Sequence, residues 1–332
     1  MNEAAGDALK RYVEALALPS GRVVGTAGHD AARRLIVRWL QELGLQPFGY
    51  SFELSYDDNF TNIVGVAPGR DRSLPPLLIG AHYDSVIEAP CADDNAAAVA
   101  IALEAARALL AEPAERDVVI AIFDAEEPPH FQENTMGSIR FYHDQRGETE
   151  FHAVLVMDLV GHDVLIGDPI GKMAAPITAP LLFTTGTESH PGVAEVVRDN
   201  LGIVDKLAVV STLNRYVGDM SDHGVFREAG VPYVFLSCGR WEHYHQPTDT
   251  PDRLNYRKME RIRQYLLRLL RGLDAADLSG PGGGDTTELE IESLRKAVGV
   301  SGSVTAQTLG IRLPRTREDL DDLIGKLMGL GL

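Results

Sequence analysis

Short apolar runs rich in branched residues alternate with segments of helical character along most of the chain. The runs that we interpret as strands are residues 61–67, 75–85, 117–127, 152–161 and 231–239. Helical patterns occupy residues 29–44, 95–111, 137–146, 191–201 and 252–272. Near-continuous apolar strands separated by helices are typical of a sheet that is covered on both faces. The pattern therefore predicts an α/β fold with a mixed, largely parallel central sheet and helices on both faces.

The pattern changes after residue 278. Residues 279–287 include the sequence SGPGGG, which has the composition of a flexible linker. Helical patterns return at 288–299 and 316–332, and the second has an apolar stripe made of Leu320, Leu323, Ile324, Leu327 and Met328. A segment of about 45 residues is marginal for a core of its own. We expect a main domain at 1–278 and a small helical segment at 288–332, which packs on the main domain or on a partner chain.

Composition and charge exclude several classes of protein. The chain has 332 residues, of which 45% are hydrophobic and 24% charged, as in ordinary globular proteins. Its 31 basic and 48 acidic residues give a net charge of −17, which argues against a nucleic-acid partner or an anionic membrane. No stretch approaches the roughly 20 apolar residues of a membrane span.

Cysteine content and the N-terminal sequence suggest a location. Two cysteines, Cys91 and Cys238, are too few for a disulfide framework, which favours a reducing compartment. Residues 1–21 have the pattern of an amphipathic helix rather than the uninterrupted apolar core of a signal peptide. We therefore expect a cytoplasmic protein.

Charged side chains follow several of the predicted strands at the point where each strand ends. In chain order they are His82, Asp84, Asp124, Glu126, Glu127, Asp158 and His245. Because ligands of open α/β sheets bind at the carboxyl ends of the strands, these side chains should converge. A further group, Asp93, Asp94 and Asn95, precedes the helix at 95–111 and is equally consistent with helix capping.

Five of these residues form a set suited to metal binding, namely His82, Asp94, Glu127, Asp158 and His245. Imidazole and carboxylate groups suit zinc best and manganese or cobalt less well. Five ligands exceed the three that a single catalytic zinc takes from a protein. We therefore expect two divalent cations that share one carboxylate, and their four positive charges would offset the repulsion among the acidic groups. Any one of these residues alone is more often a cap or a surface residue, so the prediction depends on their coincidence.

The motifs around these residues resemble those of a known family. In chain order they are GAHYDS, CADDNAAA, FDAEEPPHFQENTMGS, VMDLVG, SDHGVFREAGVP and YHQPTDTPDRLN. The ordered set is similar to that of the zinc aminopeptidases of the bacterial leucyl-aminopeptidase type. Their wider family includes glutamate carboxypeptidase II and the glutaminyl cyclases. The resemblance extends over about residues 20 to 272.

The resemblance implies a zinc-exopeptidase fold and a distribution of the five ligands between two zinc ions. Asp94 would bridge the two ions. His82 and Asp158 would complete one site, whereas Glu127 and His245 would complete the other.

The resemblance also implies the roles of two residues that do not bind metal. Glu126 would act as the general base toward a water molecule, and Asp84 would orient the imidazole of His82. A cis peptide bond after the bridging aspartate is frequent in the family, which here means the bond between Asp94 and Asn95. The expected reaction is removal of N-terminal residues from peptides that have a free N-terminus.

The sequence departs from the family pattern near these motifs. Cys91 stands where the family prefers glycine, and we interpret it as a packing residue rather than a ligand. The loop at 128–136 is longer than usual, so His130 and Phe131 either border the substrate pocket or belong to a surface excursion.

One catalytic position lacks its usual residue. Gly218 occupies the place where some members have a tyrosine that assists the oxyanion. Tyr216 and Tyr244 are the candidates to replace it. The consecutive residues 221–223, Ser-Asp-His, cannot converge as a hydrolase triad, so we expect them to support the site.

Other functions are compatible with parts of this pattern. A one-zinc acyltransferase of the glutaminyl-cyclase type needs neither His82 nor Asp158, so their presence argues against it. A carboxypeptidase needs a basic pocket, for which Arg140, Arg215 and Arg240 are candidates. A non-catalytic scaffold would not require the complete ligand set with Glu126. The C-terminal segment could also mediate formation of a homo-oligomer.

Overall fold

A mixed sheet of nine strands forms the centre of the part of the chain that the computed structural model describes, residues 3–57, 59–165, 171–301 and 313–328. The strands are β1 Gln46–Pro47, β2 Glu53–Tyr56, β3 Phe60–Ala67, β4 Leu77–His82, β5 Val118–Phe123, β6 Ala153–Met157, β7 Leu181–Thr185, β8 Ala208–Ser211 and β9 Tyr233–Ser237. Their order in the sheet is β1-β3-β5-β4-β6-β9-β7-β8, with β2 also paired to β3.

The parallel part of the sheet lies at its centre. Strand β4 pairs in parallel with β5 and β6, and β6 pairs in parallel with β9. Strands β3 and β7 flank this group in antiparallel orientation, and β8 extends the sheet parallel to β7. The carboxyl ends of the four central strands therefore meet at one edge, as the sequence predicted for its strand-end residues.

The helices are α1 Glu3–Leu16, α2 Ala27–Leu43, α3 Ala97–Ala111, α4 Gly137–Arg140, α5 Gly171–Thr178, α6 Pro191–Asn200, α7 Asn214–Val217, α8 His223–Glu228, α9 Tyr256–Ala275, α10 Thr287–Ser301 and α11 Arg317–Met328. Single π-helical turns at Ala92–Ala96 and Phe141–Gln145 and a 3-10 turn at Pro251–Arg253 complete these elements. None of the helices that the structure describes is long and apolar enough to cross a membrane.

Alternate residues of the central strands point into two separate apolar layers. Leu77 and Ile79 of β4 join the larger layer, which packs against α1, α3 and α9. Leu78 joins the smaller layer, which is rich in phenylalanine and includes Phe141 and Phe226. A strand places successive side chains on opposite faces, so the two layers lie on opposite sides of the sheet. Helices α1, α3 and α9 contribute to one layer, and α8 contributes Phe226 to the other, so helices cover both faces. The predicted α/β fold class is therefore confirmed.

The sequence pattern missed four strands, β1, β2, β7 and β8, all of which lie outside the parallel centre of the sheet. Strands β7 and β8 have only five and four residues, and β7 is partly exposed on alternate positions. Strands β1 and β2 are short and lie along β3. Strands β1, β2 and β8 have four residues or fewer, too few for a periodicity to be recognised. Strand β7 is as long as β6 but lacks its continuous burial. The sequence pattern therefore did not predict these outer strands, whereas it did predict the buried strands at the centre of the sheet.

The C-terminal segment packs on the main domain. Ala297 and Leu294 of α10 contact Ala208 and Val210 of β8, and Ser293 Oγ accepts a hydrogen bond of 3.0 Å from the backbone N–H of Ser211. Of the two packing alternatives, the structure therefore shows the one within the chain.

The apolar stripe predicted for the C-terminal segment lies on α11, and the structure describes part of it. Leu320 is buried, while Leu323 and Ile324 are partly buried. The side chains of Leu327 and Met328, and residues 329–332, lie outside the described part. The glycine-rich stretch lies against the turn before α6, where Gly283 N–H donates to the carbonyl of Ser189 at 3.1 Å.

Candidate metal centre

The predicted site residues come from five segments around one edge of the sheet. His82 is the last residue of β4, Asp158 follows β6, and His245 lies in the loop after β9. Asp94 belongs to the π-helical turn before α3, and Glu127 follows β5. His245 is partly exposed and the other four are buried. The structure thus brings together the five residues that the sequence selected as ligands.

The five side chains form two groups that share Asp94. His82, Asp94 and Asp158 present donor atoms that lie within 4.8 Å of one another, and so do Asp94, Glu127 and His245. Asp94 Oδ1 lies 3.4 Å from His82 Nε2, whereas Asp94 Oδ2 lies 3.4 Å from His245 Nε2. Each oxygen of this carboxylate therefore faces a different histidine.

Several buried atoms in these groups have no hydrogen-bond partner among the residues that the structure describes. They are Nε2 of His82 and His245, Oε1 of Glu127 and Oδ1 of Asp158. Buried polar atoms are nearly always paired in folded proteins, so unpaired atoms aimed at one another need a common partner. Imidazole nitrogens and carboxylate oxygens are ligands that zinc prefers. The donor set and its unpaired atoms therefore fit divalent metal ions.

The capping interpretation of residues 93–95 is wrong. Helix α3 has Ala96 at its N-cap and no side-chain hydrogen bond there. Asp93 instead accepts a hydrogen bond of 2.6 Å from Gly161 N–H and faces His162 Nδ1. The peptide bond between Asp94 and Asn95 is cis, as the family resemblance implied.

Asp84 contacts both His82, at the end of β4, and the backbone of Glu126 and Glu127, which follow β5. Its Oδ1 lies 3.3 Å from His82 Nδ1, the nitrogen directed away from Asp94 and Asp158. Oδ1 and Oδ2 accept hydrogen bonds of 3.0 Å from the backbone N–H groups of Glu126 and Glu127, respectively. Burial would raise the pKa of Asp84, but the neighbouring His82 and, after it, these two backbone N–H groups lower it. The position suits a residue that orients an imidazole.

The adjacent glutamates Glu126 and Glu127 face different histidines. Glu126 Oε2 lies 3.7 Å from His82 Nε2, and Glu127 Oε2 lies 3.1 Å from His245 Nε2. Glu127 is a member of one metal-binding group, whereas Glu126 belongs to neither. The chain therefore separates two neighbouring carboxylates into distinct positions at the same site.

Burial dominates the electrostatics of Glu126 and Glu127. It raises the pKa of Glu126 well above its ordinary range and that of Glu127 to about 8. Burial alone would lower the pKa of His245, but the carboxylates of Asp94 and Glu127 raise it to about 9. Burial of the two glutamates and the carboxylates beside His245 therefore favour the protonated forms of these three groups.

Arg22 and Asp249 support the backbone around Asp94. The carboxylate of Asp249 accepts hydrogen bonds from the backbone N–H groups of Asp93 and Asp94 at 2.9 to 3.1 Å. The buried guanidinium of Arg22 donates to the carbonyls of Tyr83, Cys91 and Asp94, among others. Sequence reasoning missed both residues, because nothing in a single sequence shows where a backbone will need support.

Asp124 is a strand-end residue whose role the sequence left open. It accepts a hydrogen bond from Tyr83 Oη at 3.0 Å and lies 2.7 Å from His29 Nε2. It also accepts from the backbone N–H of Thr61 at 2.7 Å. Through these contacts Asp124 links α2, β3 and the residue after β4. Asp124 belongs to neither metal-binding group.

Tyr244 and Tyr216 occupy very different places. The ring of Tyr244 stacks on that of His245 with centroids 3.7 Å apart, and burial followed by the charges of Asp94 and Glu127 raises the pKa of its hydroxyl. The hydroxyl of Tyr216 contacts Asp321 of α11. Of the two candidates for assisting an oxyanion, Tyr244 is the one beside the metal groups.

The three candidate arginines are also separated. Arg140 pairs with Asp144 at 3.0 Å, and Arg215 pairs with Asp321 at 2.8 Å. Arg240 lies over the ring of Tyr244, with its guanidinium carbon 4.9 Å from the ring centroid. Only Arg240 of these three is therefore near the site.

Residues 221–223 lie next to the site without forming a triad. His223 Nε2 contacts Asn214 Oδ1 at 3.0 Å, and burial lowers the pKa of His223 to about 4. Cys91 is buried and belongs to neither metal-binding group. In the loop at 128–136, His130 packs edge-on against Phe60 and its Nδ1 contacts Thr135 Oγ1 at 3.0 Å.

Solved structures with the same fold include a leucine aminopeptidase precursor and a glutaminyl cyclase. A leucine aminopeptidase precursor from Bacteroides thetaiotaomicron aligns with 80% of this chain and 96% of its own, with a TM-score of 0.62 and 18% identity. A glutaminyl cyclase from the same organism aligns with 80% of this chain and 97% of its own, with a TM-score of 0.60 and 18% identity. At this identity the similarity establishes the fold.

Curated relatives show closer sequence similarity. The Escherichia coli (strain K12) protein YfbL is 30% identical over 216 residues, which represent 59% of this chain and 66% of YfbL. Aminopeptidase YwaD of Bacillus subtilis (strain 168) is 25% identical over 209 residues, which represent 60% of this chain and 41% of YwaD. The chain therefore spans less than two thirds of the length of each relative. Residues 62–270, which include all five metal-binding candidates, match the model of Peptidase family M28. The chain belongs to peptidase family M28.

Proposed function

We propose that this chain is a dizinc aminopeptidase that hydrolyses N-terminal residues from peptides. The single observation that supports this most is the position of Asp94, whose two oxygens face different histidines in two overlapping donor groups. A carboxylate in this position is suited to bridge two ions. Membership of peptidase family M28 and the similarity to aminopeptidase YwaD favour the same activity.

The assignment of ligands follows the two donor groups. His82 and Asp158 would hold one zinc ion, Glu127 and His245 would hold the other, and Asp94 would contribute to both sites. When bound, zinc supplies a Lewis acid that polarises the scissile carbonyl and lowers the pKa of water. Manganese or cobalt would meet the same donors, since these metals also accept imidazole and carboxylate ligands.

Glu126 is the proposed general base. It is buried, lies beside His82 and remains outside both donor groups. The positive charge of bound zinc would favour its ionised form, and that carboxylate accepts a proton from the attacking water. Glu126 then donates this proton to the leaving amine of the substrate. Asp84 keeps both His82 and the Glu126 backbone in place. Tyr244 is the proposed donor of a hydrogen bond to the developing oxyanion, since it is the candidate tyrosine next to His245.

The acidic character of the site favours a substrate with a free amino terminus. Buried carboxylates surround the two donor groups, and the chain as a whole has a net charge of −17. An ammonium group is attracted to such a site, whereas an unpaired carboxylate is repelled.

A carboxypeptidase is the second candidate, and Arg240 is the observation that favours it. Its guanidinium lies over Tyr244, close enough to the metal-binding groups to receive a substrate carboxylate. A one-zinc glutaminyl cyclase is less suitable, because it would leave His82 and Asp158 without a function.

Peptides with blocked ends distinguish these activities. An aminopeptidase cleaves a peptide with a free N-terminus and an amidated C-terminus, and it leaves the N-acetylated peptide with a free C-terminus intact. A carboxypeptidase shows the reverse preference. Release of ammonia from a peptide with N-terminal glutamine, without cleavage, identifies a glutaminyl cyclase and contradicts the proposed function.

Three further assignments belong to this proposal. Residues 1–278 form the catalytic domain, 279–287 the linker and 288–332 the C-terminal segment. A cytoplasmic location is supported by the free, buried state of Cys91 and Cys238. Assembly into a homo-oligomer through the C-terminal segment would appear as a doubled mass in light scattering.

A further inference from the structure

The C-terminal segment reaches a connection that leads directly into the candidate metal centre. Helix α11 lies outside the residues that match the family model, 62–270. Its Asp321 contacts the hydroxyl of Tyr216 and accepts a hydrogen bond from Arg215 at 2.8 Å. Both partners are on α7, at the start of the connection formed by residues 212–222 between β8 and α8.

Helix α10 fixes the position from which α11 makes these contacts. Arg317, the first residue of α11, donates two hydrogen bonds of 2.6 and 2.9 Å to the buried carboxylate of Glu290. The same guanidinium reaches the hydroxyl of Tyr216 at 3.4 Å. Charge-assisted paired hydrogen bonds of this type are among the stronger polar contacts in proteins. The two C-terminal helices therefore meet the connection 212–222 as a single unit.

Within the connection, Asn214 and Asp219 form hydrogen bonds to each other and to neighbouring segments. Asn214 N–H donates to Glu188 at 2.7 Å, and its side-chain amide donates to Asp219 at 2.8 Å. Asp219 also forms two close ion-paired hydrogen bonds with Arg227 of α8. Its carbonyl accepts a hydrogen bond of 2.8 Å from Gln132. The connection 212–222 is thereby joined to the loop at 128–136.

Both joined segments border the metal-binding groups. The loop at 128–136 begins directly after Glu127, one of the candidate ligands. At the other end of the connection, Ser221 and Asp222 are buried, and Asp222 is close enough to His82 and Asp158 for their charges to influence it. Between these points, Val217 and Met220 expose part of their apolar side chains to solvent. Residues 212–222 therefore lie beside the candidate metal centre and expose apolar side chains at Val217 and Met220. We call these residues the wall of the site.

We propose that the C-terminal segment positions this wall for substrate binding, with Tyr216 and Asp321 as positioning residues. The inference rests on the proposed peptidase function, and it assigns to α10 and α11 a role in how peptides bind rather than in the chemical step. Loss of the α11 contacts would let the connection move away from the loop at 128–136. Substrate would then bind more weakly while Glu126 and the metal ligands keep their arrangement.

The test combines kinetics with hydrogen exchange on the zinc-loaded chain of 332 residues. The variants are Tyr216→Phe, Asp321→Ala and the combination of both, and Asp322→Ala is the matched control. Asp322 is an exposed neighbour on α11 that makes no hydrogen bond or ion pair to any residue the structure describes. Peptide amides of two and four residues serve as substrates.

We expect Tyr216→Phe and Asp321→Ala to raise KM for the four-residue substrate roughly twofold to tenfold, the range that one lost hydrogen bond allows, with kcat and zinc content unchanged. Amide exchange across 212–222 should rise in both variants and stay at the wild-type level in Asp322→Ala. The effects of the two changes should be less than additive in the double variant, because the contact between Tyr216 and Asp321 is already lost in each single variant.

Unchanged exchange across 212–222 in both variants overturns the proposal. So does a lower unfolding temperature with unchanged KM, because that result describes a purely structural contact. Exchange is measured without substrate, so this part of the test gives a result even if the wild-type chain cleaves no peptide. That separate failure would contradict the proposed peptidase function.

Discussion

The carboxylate of Asp84 accepts a hydrogen bond of 3.0 Å from the backbone N–H of Glu126. The same carboxylate lies 3.3 Å from His82 Nδ1, so one buried side chain links the end of β4 to the loop after β5. The proposed general base and a proposed metal ligand therefore depend on a common partner for their positions.

Substitution of Asp84 should disturb metal binding before it disturbs the fold. Asp84→Asn replaces one acceptor oxygen with a donor amide, which must then face either a backbone N–H or His82. We expect zinc affinity to fall roughly 10- to 100-fold, as is usual when the partner of a metal-binding histidine is changed. Competition with a chelator measures this affinity. Asp205→Asn, at an exposed position, is the control, and equal affinities in the two variants would remove Asp84 from the proposed role.

The adjacent glutamates should respond differently to the same chemical change. Glu126→Gln removes a proton acceptor from outside both donor groups, so turnover should fall roughly 10²- to 10⁴-fold while zinc content stays at the wild-type level. Glu127→Gln removes a ligand that faces His245, so zinc should be lost from the purified chain. Elemental analysis and peptide hydrolysis test both variants. Equal zinc retention in the two would mean that their roles are wrongly assigned.

Tyr244 should affect the chemical step, in contrast to Tyr216. Tyr244→Phe keeps the ring that stacks on His245 and removes only the hydroxyl. We expect kcat to fall roughly 10²- to 10³-fold, the usual effect of losing one donor to an oxyanion. Tyr216→Phe should leave kcat unchanged, since that hydroxyl contacts α11. If kcat fell in Tyr216→Phe and not in Tyr244→Phe, the prediction would be wrong and Tyr216 would be the tyrosine that assists the oxyanion.

The stability of the metal-free chain should fall as pH rises. The pKa of Glu127 is raised from 4.5 to about 8, and that of His245 from 6.5 to about 9. The folded chain thus binds more protons than the unfolded chain between about pH 4.5 and 9, so these two groups stabilise it at the acidic end of that range and lose this contribution toward pH 9.

Zinc should reverse this trend. Zinc binding requires that Glu127 and His245 release their protons, so it becomes stronger with rising pH. The zinc-induced increase in unfolding temperature should therefore be larger at pH 8 than at pH 6, as measured by calorimetry with excess chelator as the metal-free reference. An increase that is independent of pH would contradict the assignment of these two residues as ligands.

The sequence predicted the centre of this protein better than its periphery, for a physical reason. Strands β4, β5, β6 and β9 are buried, so their apolar runs are visible, and the residues after them must meet at the carboxyl edge. Their convergence therefore followed from topology alone. Strands β7 and β8 were missed, because β7 is only partly buried and β8, although buried, has only four residues.

Residues that support the site through backbone contacts were also missed. Arg22 and Asp249 act on carbonyl and N–H groups near Asp94, and these contacts depend on the folded path of the chain. The role of the C-terminal segment was hidden for the same reason, since the contact between Asp321 and Tyr216 links residues that are distant in sequence. Patterns reveal burial and ligand chemistry, whereas such contacts appear only in three dimensions.

Titration of the metal-free chain with zinc, followed by hydrolysis of a peptide with a free N-terminus, tests the central claim most directly. Because Asp94 faces both histidines, the account predicts two coupled sites that are both needed for full activity. Hydrolysis should rise with added zinc and reach its plateau at two zinc ions per chain. A plateau at one zinc per chain, or activity that does not depend on added metal, would contradict the account.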